Sequence, residues 1–572
     1  MLRYIALALD YDGTLAKDGV VSETTVAALQ RVRDSGRRLV LVSGRELEDL
    51  QRVFPRIDLF DMVVVENGGL LYVPSTREEA PLAEPAPEEL LGLLRNRNVT
   101  PLSAGRVIVS TWEPNETAVL EAIRELGLER QIIFNKGAVM VLPAGVNKGT
   151  GLAAALERLR ISPLSVAAVG DAENDHAMLS SCGFSAAVAN ALPAVKERAD
   201  YMCAGDHGSG IEEVIERLLR DDLASLEPAR HAVEVGQSAS GEELRFIPAR
   251  NSVLIAGGSG SGKSTIARGL IERTIDAGYQ VCLIDPEGDY EFDRMVRVGD
   301  AEHAPAEETV LQLLEDPTQN AIVNLLGIKL EDRPAYFASL MPRIQEVRSR
   351  TAHPHLLVVD EVHHMLPQTW EPAGGVLPLE MSGMLMVTVH PEQVSKTVLS
   401  SVTQFIGVGD AGGDVVRAFA TASEIDLGNV PSPRTREGFA LIWQRSTPDA
   451  VHHFRAVPPR SEQHRHKRKY AQGELGDHSF YFRGPEGRLN LRAQNLAMFT
   501  QIAEGVDAET WSYHLGEGHI SDWFRLAIKD PELADVAEAA RNSHAPAEES
   551  RGRVLEAIRE RYTAPAESPP PS

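Results

Sequence analysis

Short apolar runs of four or five residues, each stopping at a glycine, an acid or a hydroxyl, constrain this chain most. The first lies within "IALALDYDGTLA" (Ile5–Ala16). Strand candidates Ile5–Leu9, Leu39–Val42, Met62–Val65 and Val166–Val169 alternate with helical periodicity, as over Glu23–Ser35 and Thr150–Leu159. Alternating strands and helices predict a parallel α/β sheet, whose ligands bind beyond the carboxyl ends of its strands. After "RLLRDDLASLEPAR" the rhythm restarts, with candidates Ser252–Ala256, Val281–Ile284, Leu356–Val359, Leu385–Val389 and Phe405–Val408. A second α/β domain is expected there, running to about Pro458.

Other segments break the rhythm. "PSTREEAPLAEPAPEE" (Pro74–Glu89) is rich in proline and acid and is followed by the β-like "GRVIVSTWE", which predicts an inserted α+β subdomain over about 76–145. "PPRSEQHRHKRKYAQGELG" reads as a linker (458–477). Its basic run is expected to be an exposed charged stretch, with nucleic-acid contact as the alternative. A small, mostly helical module (478–562) and a disordered tail (563–572) complete the organisation, after a first domain over 1–222 and a second over 223–457 with its lead-in. The aromatics of the module are expected to form its core, and a partner-binding role is the expectation for it.

Net charge is −25, from 57 basic and 82 acidic residues over 572 positions. That balance disfavours an all-over basic nucleic-acid clamp but leaves room for a local basic channel. Three scattered cysteines give neither a disulfide framework nor a zinc site. The first apolar run is broken at Asp10, and no run approaches the roughly 18 residues of a membrane span. A cytoplasmic protein without a membrane partner is expected.

Asp10 and Asp12 follow the first strand, and side chains two apart on an extended segment share a face. One carboxylate can attack phosphorus while the other moves protons, and a divalent cation is expected to relieve their repulsion. Ser43 in "LVLVSGR", Lys148 in "GVNKGTGLAAAL", and Asp171 and Asp175 in "VAAVGDAENDHAML" add a hydroxyl, an amine and more carboxylates at other strand ends or helix starts. This set suits a metal-bound phosphoryl group.

The four motifs "DYDGT", "SGR", the lysine of "NKG" and "GDAEND" stand in the order of the haloacid dehalogenase (HAD) superfamily, which residues 1–222 resemble. "ENGG" (Glu66–Gly69) and "NALPAVKERAD" (Asn190–Asp200) are similar to its Cof-type, IIB branch. The resemblance implies a Rossmann-like parallel sheet, with Asp10 as the nucleophile that becomes aspartyl-phosphate and Asp12 as general acid, then base. It implies Ser43 and Lys148 on the phosphoryl oxygens. Mg²⁺ would be held by Asp10, Asp171, Asp175 and the backbone carbonyl of Asp12. About a hundred residues separate Ser43 from Lys148, so the insert between them is the cap, a lid suited to a small phosphorylated substrate such as a sugar phosphate.

"GGSGSGKST" carries Gly257, Gly262, Lys263 and Ser264 in the positions of a phosphate-binding loop, between the strand "SVLIA" and a helix. Backbone N–H groups of the loop, through Ser259, Gly260, Ser261 and Thr265, can curl around phosphates while Lys263 reaches the outer ones and Ser264 ligates Mg²⁺. "HLLVVDEVHHML" supplies Asp360 for the metal and Glu361 to polarise water. His363 and His364 are expected to be packed or solvent-facing rather than ligands. Thr388 or His390 is a candidate sensor of the γ-phosphate. Residues 231–457 resemble the HerA/FtsK group of P-loop ATPases, also through "LIDPEGDY" (Asp285–Tyr290). That resemblance implies ATP hydrolysis, a hexameric ring and movement of nucleic acid. Here a histidine stands at the sensing position, where the group often has glutamine. Arg417, Arg434 and Arg436 are candidate arginine fingers by chemistry alone.

The expected protein is therefore an α/β chain joining a Mg²⁺-dependent phosphomonoesterase to an ATPase, motor or regulatory. The alternatives are a polynucleotide kinase–phosphatase acting on nucleic-acid ends, and an ATP-driven assembly scaffold or DNA translocase.

Overall fold

The structure is a computed structural model that describes all residues except 1, 136, 227, 259, 370–380, 428–429, 431–438, 461–478, 529 and 563–572. Ser259, Arg434, Arg436, most of the expected linker and the expected tail lie outside the described residues. The chain forms two compact units, Met1–Arg460 and Ser461–Ser572.

Two sheets organise the first unit. The eight-stranded sheet has the Asp10 strand (Ala6–Asp10) between Val166–Gly170 and Arg38–Val42, all parallel. Ala6–Leu9, Leu39–Val42 and Val166–Val169 have no exposed surface. Such unbroken apolar runs fit strands covered on both faces. Beyond Met62–Val65 the sheet turns antiparallel through Leu70–Val73 and Glu78–Pro81. The insert expected from about 76 therefore begins later, because Glu78–Pro81 still pairs with the main sheet. The insert carries its own four-stranded antiparallel sheet (Ser103–Ala104, Val109–Trp112, Arg130–Asn135, Ala138–Pro143) and two helices, Glu88–Asn96 and Glu116–Glu125. Those helices and strands close a small core around Leu90, Leu94, Val119 and Val141.

The eleven-stranded sheet centres on Ser252–Gly257, parallel to Gln404–Val408 on one side and Met384–Thr388 on the other. Leu356–Val359, Val281–Asp285 and Ala321–Asn324 continue the parallel order. At the opposite edge Phe439–Gln444 and Thr447–Ala456 are antiparallel, and the lead-in strand Val233–Ser238 pairs with the latter. The two faces of this sheet carry separate cores.

The second unit has a short hairpin (Phe480–Phe482 with Leu491–Ala493) and five helices between Leu496 and Tyr562. Phe480, Phe482, Phe499, Trp511, Trp523 and Phe524 are buried together, so its aromatics are core. His514 and His519 face each other at 3.2 Å, and His514 accepts from the Arg483 N–H. No helix among the described residues is long and apolar enough to cross a membrane.

Candidate active sites

The first site is built at the carboxyl ends of the Asp10 and Val166–Gly170 strands. Asn147 begins the next element: its side chain accepts from the Gly149 and Thr150 N–H groups, and Thr150 Oγ1 accepts from the Asn147 N–H. This reciprocal cap fixes the first turn of Lys148–Leu159 and hence the root of Lys148. The Lys148 ammonium donates to Asp10 Oδ1 at 2.5 Å and Asp175 Oδ1 at 2.6 Å, and all three side chains are nearly inaccessible. Asp175 is aimed by the Asp171 and Ala172 N–H groups, both donating to its Oδ2 at 2.9 Å. Thr14 Oγ1 donates to Asp171 Oδ1 at 3.2 Å.

Asp10, Asp171 and Asp175 bring carboxylate oxygens within 4.8 Å of one another. Burial, then the charges of Asp175 and Asp171, push the Asp10 carboxyl up to about 8 against the pull of Lys148. Burial opposes charge on Lys148, yet Asp10 and Asp175 together raise it above the ordinary amine value. Three buried carboxyl groups face one ammonium, and ionising Asp10 leaves a deficit of two positive charges. A divalent cation with a preference for hard oxygen ligands fits that deficit and that donor set.

Ser43 is buried after its strand, and its Oγ accepts from the Arg45 N–H at 3.2 Å. Both oxygens of the Asp12 side chain accept from Arg45, from Nε and Nη2, at 2.7 Å each. Arg45 also pairs with Asp49 and lies over the Tyr11 ring. Arg45 belongs to the "SGR" motif, whose local sequence assigns it no task. The same holds for Glu66 in "ENGG". Glu66 is buried and crosses into the insert, where its carboxylate accepts from the N–H groups of Arg106, Val107 and Ile108 at 2.8, 2.7 and 3.0 Å. Gly68 has φ +104°, and a Cβ there would strike the Asn147 carbonyl, so glycine lets this turn seat the Lys148 helix.

The second site gathers at the carboxyl ends of the other sheet. Gly257 ends its strand, Gly260 and Gly262 have φ +73° and +101°, and the helix Lys263–Asp276 starts at once. Lys263 is buried, and its ammonium donates to the Gly258 carbonyl at 3.0 Å. Ser261, Ser264 and Thr265 lie in this loop and first turn. Asp360 follows the strand one place removed from the loop strand. Burial, then Glu361, holds its carboxyl well above the usual carboxylate range. Glu361 has φ +43°, a conformation unfavourable for a side-chain residue, which throws its carboxylate toward His363 at 3.4 Å.

Met384–Thr388 lies between those two strands, so its end reaches into the site. Thr388 Oγ1 and His363 Nδ1 are 3.0 Å apart, and the His390 N–H donates to Thr388 Oγ1. The His390 ring is half exposed, stands 5.7 Å from His363 and bonds Glu392. His363 is buried and His364 half-buried. In "LIDPEGDY" the Asp285 carboxylate accepts from the N–H groups of Gly288, Asp289 and Tyr290. Arg417 is exposed on its helix and pairs with Asp414 at 2.7 Å.

A family model of haloacid dehalogenase-like hydrolases matches residues 7–106 and 105–215, and one for the central domain of helicase HerA matches residues 248–313. A phosphoglycolate phosphatase of Methanothermobacter thermautotrophicus is 33% identical over 221 residues, which cover 37% of this chain and 98% of that protein. One from Pyrobaculum aerophilum is 33% identical over 220 residues, covering 37% and 95%. A haloacid dehalogenase-like hydrolase structure from Bacteroides thetaiotaomicron covers 38% of this chain and 99% of that one at 22% identity and a TM-score of 0.33. With its buried Asp10–Lys148–Asp175 cluster at the strand ends, the chain belongs to the haloacid dehalogenase-like hydrolases, joined in one polypeptide to a region matching the HerA central domain.

Proposed function

We propose that the first site hydrolyses phosphate monoesters of small metabolites. The observation that carries this reading is the Lys148 ammonium spanning Asp10 and Asp175 beside Asp171, a buried anion-and-metal cradle at the end of the nucleophile strand. Asp10 attacks phosphorus and forms an aspartyl-phosphate, splitting one hydrolysis into two steps. Lys148 and Ser43 hold phosphoryl oxygens. Asp12 gives its proton to the leaving oxygen and then takes one from water, with Arg45 setting its position. Asp10, Asp171 and Asp175, with the Asp12 carbonyl, would hold Mg²⁺, which when bound supplies positive charge for the phosphoryl oxygens. The capping insert, tied down through Glu66, favours a substrate small enough to be enclosed. Phosphoglycolate and sugar phosphates are the class to try first, since the similar curated proteins are phosphoglycolate phosphatases.

For the second site the reading is ATP binding and hydrolysis, with Lys263 and the loop N–H groups on the phosphates, Ser264 and Asp360 at Mg²⁺, and Glu361 polarising water. The HerA match and the placement of Thr388 and His390 between loop and acid support it. Assembly into a ring, contact with nucleic acid and an arginine finger from Arg417 belong to this reading as proposals. Sizing the chain with and without ATP tests the first, and salt-dependent DNA binding tests the second.

A screen of phosphorylated metabolites with Mg²⁺, run with and without ATP, tests the whole. Phosphate release that disappears in Asp10→Asn and persists in Lys263→Ala is expected. Transfer of the γ-phosphate to a DNA 5′-hydroxyl would overturn it in favour of an end-processing kinase–phosphatase.

A further inference from the structure

Where the amino ends of the two sheets meet, a cavity of about 390 Å³ opens among side chains from several separate segments. Its size is that of a small-ligand site. Arg3, Arg250, Arg348 and Arg445 line it, against one acid, Asp222. That acid is already committed. Its carboxylate accepts from Arg37 Nη2 at 3.0 Å and from the Arg3 N–H at 2.5 Å. In a chain of net charge −25, four arginines lining one void form a local reversal of sign; Arg250 Nη2 also donates to the Asp222 carbonyl at 3.1 Å.

Arg348 decides what the void is for. It is 1% exposed, and Nη2 donates to the Ser382 carbonyl at 3.0 Å. Its Nε and Nη1 are buried with no partner, and so is the hydroxyl of Ser252, 1% exposed, on the same wall. Buried donors left unpaired are costly to a fold, and a guanidinium presents its N–H groups as a fork that matches phosphate oxygens. Arg445 is held by the Val402 and Ser400 carbonyls, through Nε at 3.0 Å and Nη2 at 2.8 Å, so its charge is fixed at the rim. Leu2 and Met381 add an apolar wall.

We propose that this cavity binds a small phosphate-bearing anion, gripped by Arg348 and Ser252 at its base and by Arg250 and Arg445 at its mouth. The site is distinct from both catalytic centres, which lie at the other ends of their strands. Leu2, Arg3 and Asp222 come from the half that carries Asp10 and the other lining residues from the half that carries Lys263, so its ligand bridges the halves and tightens the junction.

The test is calorimetric titration of the full chain carrying Asp10→Asn and Lys263→Ala, with inorganic pyrophosphate and, separately, glycerol 3-phosphate. One-to-one binding of at least one probe is expected, weakened tenfold or more by Arg250→Gln or Arg445→Gln on that background. Tighter pyrophosphate binding assigns an inorganic ligand, and tighter glycerol 3-phosphate binding an organic one. Arg348→Met removes the base of the site, but its burial puts folding at risk, so the two accessible arginines carry the test. Isotherms unchanged in both arginine variants, or no binding at millimolar probe to a chain with native circular dichroism, overturn the proposal.

Discussion

Ser165 Oγ and His355 Nε2 lie 3.3 Å apart, both buried, and this contact joins the two sheets. Ser165 precedes the strand Val166–Gly170, which Asp171 follows, and its carbonyl accepts from the Ile5 N–H, just before the Asp10 strand. His355 precedes the strand Leu356–Val359, which Asp360 follows. Neighbouring contacts repeat the pattern: His353 Nε2 lies 3.2 Å from the Arg160 carbonyl, and Arg250 Nη2 donates to that of Asp222. The sheets therefore meet amino end to amino end. At roughly 3.3 Å per strand residue, each strand-end acid is carried about 17–20 Å from the junction. The two sites therefore lie at the far ends of these strands, away from the junction.

Acid should loosen this junction. His355 Nδ1 accepts from the Gln280 N–H at 2.9 Å, which requires a neutral ring, and burial holds its pKa well below the ordinary 6.5. Burial, then Arg230, lowers His231 to about 4. Below pH 6.5 the unfolded chain binds protons that the folded one refuses, so stability falls with pH, by up to about 1.4 kcal/mol per unit for each histidine. The raised Asp10 and Asp360 carboxyls have the opposite slope over this range, so the histidine effect is read as the difference in melting temperature between the parent chain and His355→Gln below pH 6.5. His355→Gln should flatten that decline; an unchanged slope would discount the histidine.

Arg45 is predicted to position Asp12. Arg45→Lys keeps charge but loses the two-pronged contact, and kcat for phosphate release should fall about 10²-fold, the lower end of a general acid's contribution, with little change in KM. An effect on KM alone would mean that Arg45 only helps bind substrate.

Glu66 should lock the insert. In Glu66→Gln the three N–H groups of Arg106, Val107 and Ile108 lose a charged acceptor, each such bond contributing roughly 1.5–3 kcal/mol. Hydrogen exchange at those three amides should quicken while the main-sheet strands keep their protection. Equal protection in the variant would show that the insert is held by other contacts.

Metal removal separates the sites from their scaffolds. Chelation should abolish phosphate release reversibly, because the deficit of positive charge around Asp10 is then unmet. Glu361→Gln should retain ATP but hydrolyse it at least about 10²-fold more slowly, leaving phosphate release unaffected. ATP turnover equal to that of the parent chain would remove Glu361 from the chemistry.

The parallel strands and the residues at their ends were legible in sequence because both signals are local. A four- or five-residue apolar run stopped by Asp10, Ser43 or Asp171 marks strand and loop together. Less legible were Phe439–Gln444 and Thr447–Ala456, an antiparallel pair whose place depends on the edge it finds. Arg45 and Glu66 stood inside quoted motifs, yet their tasks depend on partners 33 and about 40 residues away.

By itself the sequence determined two α/β halves and the chemistry offered at each set of strand ends, since spacing and residue type suffice for both. Only the tertiary structure decided that Lys148 reaches two carboxylates at once, that Asp12 is held by Arg45, and that the halves abut at their amino ends around an arginine-lined cavity. The reason is separation along the chain: Ser165 and His355 are 190 residues apart, and no periodicity encodes a contact that folding alone creates.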